Sequence, residues 1–279
     1  MPELPEVETI RSQLEKLIVG KKIIKVEVSL PKMVKLSLDK FRKIVVGSKI
    51  KSVNRRAKIL IIELSSGWSI LIHLKLSGRL IFRRKGEALK NEDKKWNHLI
   101  YYFSDASRLF HNDLRRFGYV KLVEIDKLAE FFTKEKLGPE PLQKNFTFKD
   151  FLRILKRKPK TKIKQFLLDQ KNISGIGNIY SDEILFSAGV HPLKRVVDLK
   201  SDKIKKIFKG IKKILAEALR YRGTSSVMYL DARGKKGDYV PRLKVYGREG
   251  EKCKGCEGVV NRLKIAGRSA HYCPICQKL

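Results

Sequence analysis

All four cysteines of this 279-residue chain fall between positions 253 and 276, as Cys253-x2-Cys256-x16-Cys273-x2-Cys276. Two Cys-x-x-Cys pairs so separated match the spacing of a four-thiolate zinc site. Between them, Val259 to Ile265 and Arg268 to Tyr272 flank an Ala266-Gly267 turn and read as a β-hairpin. About 25 residues cannot bury a core of their own, so a metal clamp at the hairpin base is what allows them to fold. Four thiolates leave zinc no open position, which makes the one expected ion structural rather than catalytic. The clustering also suits a reducing compartment better than a secreted disulfide framework. The N-terminus MPELPEVETI carries no apolar signal region and no run approaches the roughly 18 apolar residues of a membrane span, so a cytoplasmic location with no membrane partner is expected.

The chain carries 63 Lys and Arg against 29 Asp and Glu, a net charge of +34, and is still 42% hydrophobic. It is too apolar for a disordered basic tail and long enough for roughly two domains with real cores. Residues 1–146 hold +14 of the charge and residues 147–279 hold +20, so the excess is a body and not an arm. Both parts are expected to face a polyanion, with Arg262, Lys264 and Arg268 presented on the finger. Because 43 of the basic residues are Lys, part of the excess is ordinary solvated surface.

Val7, Ile10, Leu14 and Leu17 recur at helical spacing up to Gly20. Alternation at Ile24, Val26, Val28 and Leu30, then short apolar runs at 59–64, 70–74 and 99–103, predict a β-sandwich fronted by that helix. Gly138, Pro139 and Pro141 mark a linker, after which Phe151, Ile163, Ile184 and the series from Ile204 to Leu215 predict four helices. Residues 222–238, rich in Gly, Ser, Arg and Lys, are too long for a turn and predict a functional loop.

Two other segments could carry chemistry. Ser174-Gly175-Ile176-Gly177-Asn178 leads into a helix, with Asn178 a suitable cap and the helix start an anion site. Beside Lys156, Arg157, Lys158, Lys160, Lys162 and Lys164 it reads as a phosphate clamp. At the N-terminus, removal of Met1 exposes the secondary amine of Pro2, a better nucleophile at neutral pH than lysine, with Glu3 beside it to move protons.

MPELPEVET, Arg55-Arg56-Ala57-Lys58, His73-Leu74-x-x-Ser77-Gly78, Asp113-x-Arg115-Arg116-Phe117-Gly118, Leu137 to Leu142, Gly175-x-Gly177-Asn178-Ile179-Tyr180, Val245 to Arg248 and the cysteine finger run in order along the whole chain. Together they resemble the formamidopyrimidine-DNA glycosylases. The resemblance implies an α+β multidomain protein: a catalytic β-sandwich over 1–133, a linker over 134–146, a helix-two-turn-helix domain over 147–223, a lesion-capping loop and connection over 224–246, and the zinc finger over 247–279.

It also implies roles. Pro2 is the Schiff-base nucleophile, Glu3 the acid for opening the sugar and releasing the base, and Glu6 a structural support. Lys58 serves β-elimination and Arg268 δ-elimination. His73, Arg115, Lys158, Lys160 and Asn178 contact DNA, while Leu76 and Phe117 fill the void left by a flipped base. The implied partner is damaged double-stranded DNA, bound by a monomer in the bacterial nucleoid, and the implied reaction is excision of oxidised purines followed by strand cleavage.

Four departures from the family pattern bear on substrate preference: Lys75-Leu76 in place of Gly-Met, Leu114 in place of Pro, Trp96 in place of a DNA-contacting His, and Asp238 in a loop that usually ends Gly-Tyr-Phe. The competing readings are an endonuclease VIII-type enzyme for oxidised pyrimidines, a non-catalytic DNA-binding protein of the same fold, and a ribosomal or chromatin-like basic protein.

Overall fold

The computed structural model describes residues 1–89, 94–225 and 228–279, which form two compact units. The first comprises residues 1–135 and 221–238. It opens on helix α1 (Leu4–Ile18), with Pro5 in the first turn, where its missing N–H costs nothing. Strands β1 (Ile23–Val28), β2 (Ile50–Arg56), β3 (Ile59–Leu64), β4 (Trp68–His73), β5 (Gly78–Arg83), β6 (Asn97–Phe103), β7 (Arg108–Asp113) and β8 (Tyr119–Glu124) follow. They pair into two four-stranded antiparallel sheets, ordered β1-β6-β7-β5 and β2-β3-β4-β8. Val7, Ile10, Leu14 and Ile18 of α1 join Leu60, Ile62, Ile72, Leu80 and Phe103 in one core, which is the expected helix-fronted sandwich.

The apolar run at β3 is continuous because both its faces are covered. Leu60 and Ile62 point into the main core, whereas Ile59 and Ile61 lie with Leu71 against Leu128, Phe131 and Phe132 of helix α3 (Leu128–Lys134). That helix and α2 (Leu38–Val45) were not expected from the sequence. Each spans about two turns, too few for a 3.6-residue period to show.

Residues 221–238 are tied into the first unit. Buried Asp231 accepts from Gln13 Nε2 and Arg222 Nη1, both at 3.0 Å, and from the backbone N–H groups of Arg233 and Lys235. Tyr229 and Ala232 enter the core beside α1. Residues 226 and 227 of the expected loop lie outside the described residues.

The second unit comprises residues 136–220 and 239–279. Its helices are α4 (Phe148–Lys156), α5 (Ile163–Leu168), α6 (Asn178–Ala188) and α7 (Ser201–Arg220), the four expected. Thr147 and Asp150 form a reciprocal capping box at the start of α4. The hairpin of β9 (Asn261–Ile265) and β10 (Arg268–Tyr272) turns at Ala266-Gly267, both at positive φ. Two adjacent carboxylates of α6 hold this hairpin and its approach. Asp182 Oδ2 accepts from the backbone and ring nitrogens of His271, and Glu183 accepts from the N–H groups of Lys244, Val245 and Tyr246. Among the described residues no helix is long and apolar enough to cross a membrane.

Candidate active site

The N-terminal strand of chain and the first turn of α1 converge on buried charge. Pro2 is buried, and Glu3 and Glu6 are each 1% exposed. The Glu3 N–H donates to Glu6 Oε2 at 2.7 Å, and Glu6 Oε1 accepts the Thr224 N–H at 2.7 Å. Gly223 (φ +82°) leaves room for this contact, since a Cβ there would lie 2.6 Å from Glu6 Oε1.

Lys58 lies in the two-residue turn joining β2 and β3, after Ala57 in the left-handed region (φ 53°), and is 5% exposed. Arg55 fixes that turn to α1 by donating to Glu8 Oε2 at 2.8 Å and to the Ala57 carbonyl at 2.7 Å. The Met1 α-amine is pushed below its ordinary value first by burial, against the pull of Glu3 and Glu6 and with the push of Lys58 and Arg115. Three expected residues of the first unit, Glu3, Lys58 and Arg115, therefore all act electrostatically on the amine end. While Met1 is attached, the Pro2 nitrogen is an amide and stands in for the amine that its removal exposes.

A second constellation lies where β4 leads into β5 and β7 into β8. His73 Nδ1 accepts the Lys75 N–H at 2.9 Å, and burial, then Lys75 and Lys58, lower its pKa to about 3. The ring is thus neutral near pH 7 with its proton on Nε2, a donor suited to a phosphate oxygen. Leu76 is half-buried, Arg115 is exposed, and Phe117 is 56% exposed. The Arg115 guanidinium sits 5.3 Å from the Phe117 ring centre. Their loop closes on Asp113, which is fully buried. In the sequence Asp113 is marked only by its position before the Arg-Arg-Phe-Gly turn.

In the second unit, Asn178 is the first residue of α6 and Gly177 the cap, one position from the expected arrangement. Asn178 Oδ1 is buried without a hydrogen-bond partner. Lys158 and Lys160 are exposed after α4. Lys164 corrects the clamp expected from the sequence: it is 0% exposed and bonds Asp182 Oδ1 at 2.6 Å and the Asn178 carbonyl at 3.0 Å. Its ammonium is enclosed under the start of α6 and cannot meet a phosphate at the surface. Arg262 pairs with Glu249 at 3.0 Å, while Arg268 at the start of β10 is exposed.

The four cysteine Sγ atoms lie within 4.8 Å of one another and form no disulfide. Separations of 3.9 Å for Cys253–Cys276 and 3.4 Å for Cys256–Cys273 bracket the roughly 3.8 Å edge of a tetrahedral zinc–thiolate site. The Gly255 and Gly258 N–H groups donate to the sulfurs of Cys253 and Cys256, stabilising thiolate charge. The donor set fits one structural zinc ion.

Three family models match the chain in order: the formamidopyrimidine-DNA glycosylase N-terminal domain over residues 1–120, its H2TH domain over 137–229, and a zinc finger found in FPG and IleRS over 250–279. The formamidopyrimidine-DNA glycosylase of Carboxydothermus hydrogenoformans is 43% identical over 279 residues, covering 100% of both chains. That of Listeria innocua is 42% identical over 281 residues, again covering 100% of both. The chain belongs to the formamidopyrimidine-DNA glycosylase family. Among solved structures, the complex of Lactococcus lactis Fpg with DNA containing an abasic site superposes with a TM-score of 0.92 at 38% identity, covering 99% of this chain and 100% of that one. A Lactococcus lactis FPG mutant with Fapy-dG DNA gives 0.92 at 38% identity, covering 100% of both.

Two departures from the glycosylase family pattern acquire partners in the structure. The Asp238 carboxylate accepts from Arg222 Nη2 at 2.8 Å, so its charge is compensated within the loop. Trp96 is half-buried, with its carbonyl accepting the Asp113 N–H and the Lys95 ammonium 5.2 Å from its ring.

Proposed function

We propose that this chain is a base-excision DNA glycosylase that removes oxidised purines, 8-oxoguanine and formamidopyrimidines, and then cleaves the strand through a Schiff base on Pro2. The observation that carries the reading is that Pro2, Glu3 and Lys58 are all buried, with Glu3, Lys58 and Arg115 acting on the terminal amine. Once Met1 is removed, Pro2 carries a free secondary amine, of which the ordinary α-amine pKa near 8 leaves a fraction unprotonated near neutrality, and its lone pair attacks the sugar C1′. The C1′–N bond to the base breaks as the amine's proton passes to the departing base, Glu3 protonates the ring oxygen as the sugar opens, and a cationic iminium forms. That cation takes the electron pair of the departing C2′ proton, received with help from Lys58, as the 3′ phosphate leaves. Loss of the C4′ proton then expels the 5′ phosphate, with Arg268 holding its charge, and hydrolysis of the iminium frees Pro2.

Reaching C1′ requires the base to leave the stack. Leu76 and Phe117 fill the void, and Arg115 donates to O2 and N3 of the widowed cytosine. His73, Asn178, Lys158 and Lys160 hold phosphates, and zinc folds the hairpin that bears Arg268. The protein works as a monomer in the bacterial cytoplasm on damaged duplex DNA.

Borohydride reduction of the enzyme on abasic or 8-oxoguanine DNA tests this. A covalent adduct is expected for the Met1-processed protein and a weak one for Pro2→Gly. No adduct from processed, folded protein overturns the enzymatic reading.

A further inference from the structure

Asp113, the last residue of β7, has polar atoms committed to the turn that follows it. Its Oδ1 accepts the Ser77 hydroxyl at 2.5 Å and the Arg115 N–H at 3.3 Å, and its Oδ2 accepts the Gly118 N–H at 2.6 Å. Its carbonyl accepts from Arg116 N at 3.2 Å and lies 3.0 Å from His98 Nε2, and its own N–H donates to the Trp96 carbonyl. Ser77 Oγ in turn accepts the Arg115 N–H at 2.9 Å.

These contacts reach Arg115 directly and the chain neighbours of Leu76 and Phe117, the two residues assigned to the void. Leu76 is fixed through its neighbour Ser77, Arg115 through its own N–H, and Phe117 through Gly118. The turn has little freedom elsewhere to define it. Arg116 is held in the left-handed region (φ 57°), and a Cβ on Gly118 would lie 2.9 Å from Asp113 Oδ2 and 3.3 Å from the His73 carbonyl. Leu114 stands where the family pattern has a proline, so no ring restricts φ at the start of the turn. Charge-assisted hydrogen bonds to a buried carboxylate are the strong, directional kind that can supply that restriction instead.

We propose that Asp113 is the positioning residue of the wedge: one buried carboxylate sets Leu76, Arg115 and Phe117 in register for filling the void and reading the opposite base. It touches neither sugar nor lesion. The inference rests on the assignment of Leu76 and Phe117 to the void and of Arg115 to the opposite base. Its consequence is that Asp113 governs discrimination between opposite bases separately from the chemistry at Pro2. It also follows that a proline at 114 substitutes for part of the carboxylate's grip, because Asp113 already ends a strand and tolerates the extended backbone that precedes proline.

The test uses the Met1-processed full chain and duplexes carrying one 8-oxoguanine opposite C or A. Single-turnover excision, borohydride trapping at saturating enzyme and thermal unfolding are measured for the parent, Arg115→Ala, Asp113→Asn, Ser77→Ala and Asp113→Asn with Leu114→Pro. Asp113→Asn is expected to lower the preference for C over A by about tenfold, close to Arg115→Ala, while trapping at saturation stays within about threefold of the parent. Adding Leu114→Pro is expected to recover part of the preference. Ser77→Ala, which removes only the hydroxyl relay, is expected to lower the preference in the same direction, and decides the matter if Asp113→Asn does not fold. Unchanged preference in a folded Asp113→Asn, equal loss of trapping and preference with no recovery by proline, or unchanged preference in Ser77→Ala beside an unfolded Asp113→Asn overturns the proposal. Absence of trapping by the parent overturns the glycosylase reading instead, and an unaffected preference in Arg115→Ala overturns the wedge assignment.

Discussion

The Glu6 carboxylate and the Thr224 N–H are 2.7 Å apart across 218 residues of chain, and the other oxygen of the same carboxylate receives the Glu3 N–H. One buried side chain thus joins the N-terminal segment that bears the proposed nucleophile to the base of the 221–238 loop. Glu6→Gln keeps one acceptor but turns an amide donor toward one of the two N–H groups. The expected cost is about 1.5–3 kcal/mol, read by thermal or urea unfolding. Excision of 8-oxoguanine is expected to fall more than incision of a preformed abasic site, because the loop's assigned partner is the damaged base. A substitution that leaves both stability and this ratio unchanged would show that the bridge is dispensable.

Lys164 and Lys158 are both lysines in one basic run, yet the structure predicts opposite phenotypes. Lys164→Ala removes the cation of a fully buried pair and leaves Asp182 with only its His271 hydrogen bonds, so a loss of about 3 kcal/mol is expected in denaturant unfolding. Lys158→Ala is expected to change stability by less than about 0.5 kcal/mol, since its side chain is exposed. Its effect should appear in DNA binding, as a uniform weakening across sequences with the salt dependence reduced by about one phosphate contact.

That contrast marks how far the sequence was legible. The finger was legible from cysteine spacing alone because metal geometry permits few spacings. The sandwich and four helices of the second unit were legible from periodicity. Lys164 was not separable from its neighbours, because a charge count registers a buried cation and a solvated one alike, and only Asp182, on a different helix, tells them apart. Asp113 and Glu6 were visible as motif letters. Their work lies in contacts to Ser77 and Thr224, 36 and 218 residues away, which no local pattern encodes. The short helices α2 and α3 escaped because two turns carry too little pattern.

Zinc removal is expected to act on the finger and leave the first unit folded. Chelation frees four thiolates that repel one another once the ion is gone, so the hairpin loses the clamp at its base and Arg268 is held only through the buried Val260, Ile265 and Ala270 and the His271–Asp182 contact. Treatment with a strong chelator should abolish strand incision and weaken DNA binding, with recovery on adding zinc back. Circular dichroism should show the sandwich retained, and full incision by verifiably zinc-free protein would contradict the clamp.

Acid stability follows from two histidines. His73 titrates near 3 and His111 near 4, both against an ordinary value of 6.5 and both chiefly through burial. For His111, His98 adds to the lowering and Asp113 opposes it. A depressed histidine pKa means that the unfolded chain binds a proton that the native one does not, so stability is fully present above about pH 6.5 and is lost as pH falls toward 4. Each group is expected to remove about 1.4 kcal/mol per pH unit within that window. Both ring nitrogens of His111 are buried without hydrogen-bond partners. His111→Phe is therefore expected to leave stability at pH 7 within about 1.5 kcal/mol and to reduce the acid slope by one proton in urea titrations from pH 4 to 8.

The Arg115 guanidinium lies against Phe117, and the residue's backbone N–H is held by Ser77 and Asp113. Extrusion of a purine leaves cytosine presenting two adjacent acceptors, O2 and N3, which a planar guanidinium can meet with two donors at once. Adenine presents an amino donor and a single ring acceptor on the same edge, so one of the guanidinium donors faces another donor there. A bidentate contact of this kind is worth about 1–3 kcal/mol of discrimination, so the parent is expected to process 8-oxoguanine opposite C about 5- to 160-fold faster than opposite A. Arg115→Lys keeps the charge and loses the fork. If the fork does the reading, lysine should bind damaged duplex nearly as tightly while the ratio collapses toward one. If charge alone were responsible, the ratio would survive the exchange, and single-turnover rates on the two duplexes distinguish these outcomes directly.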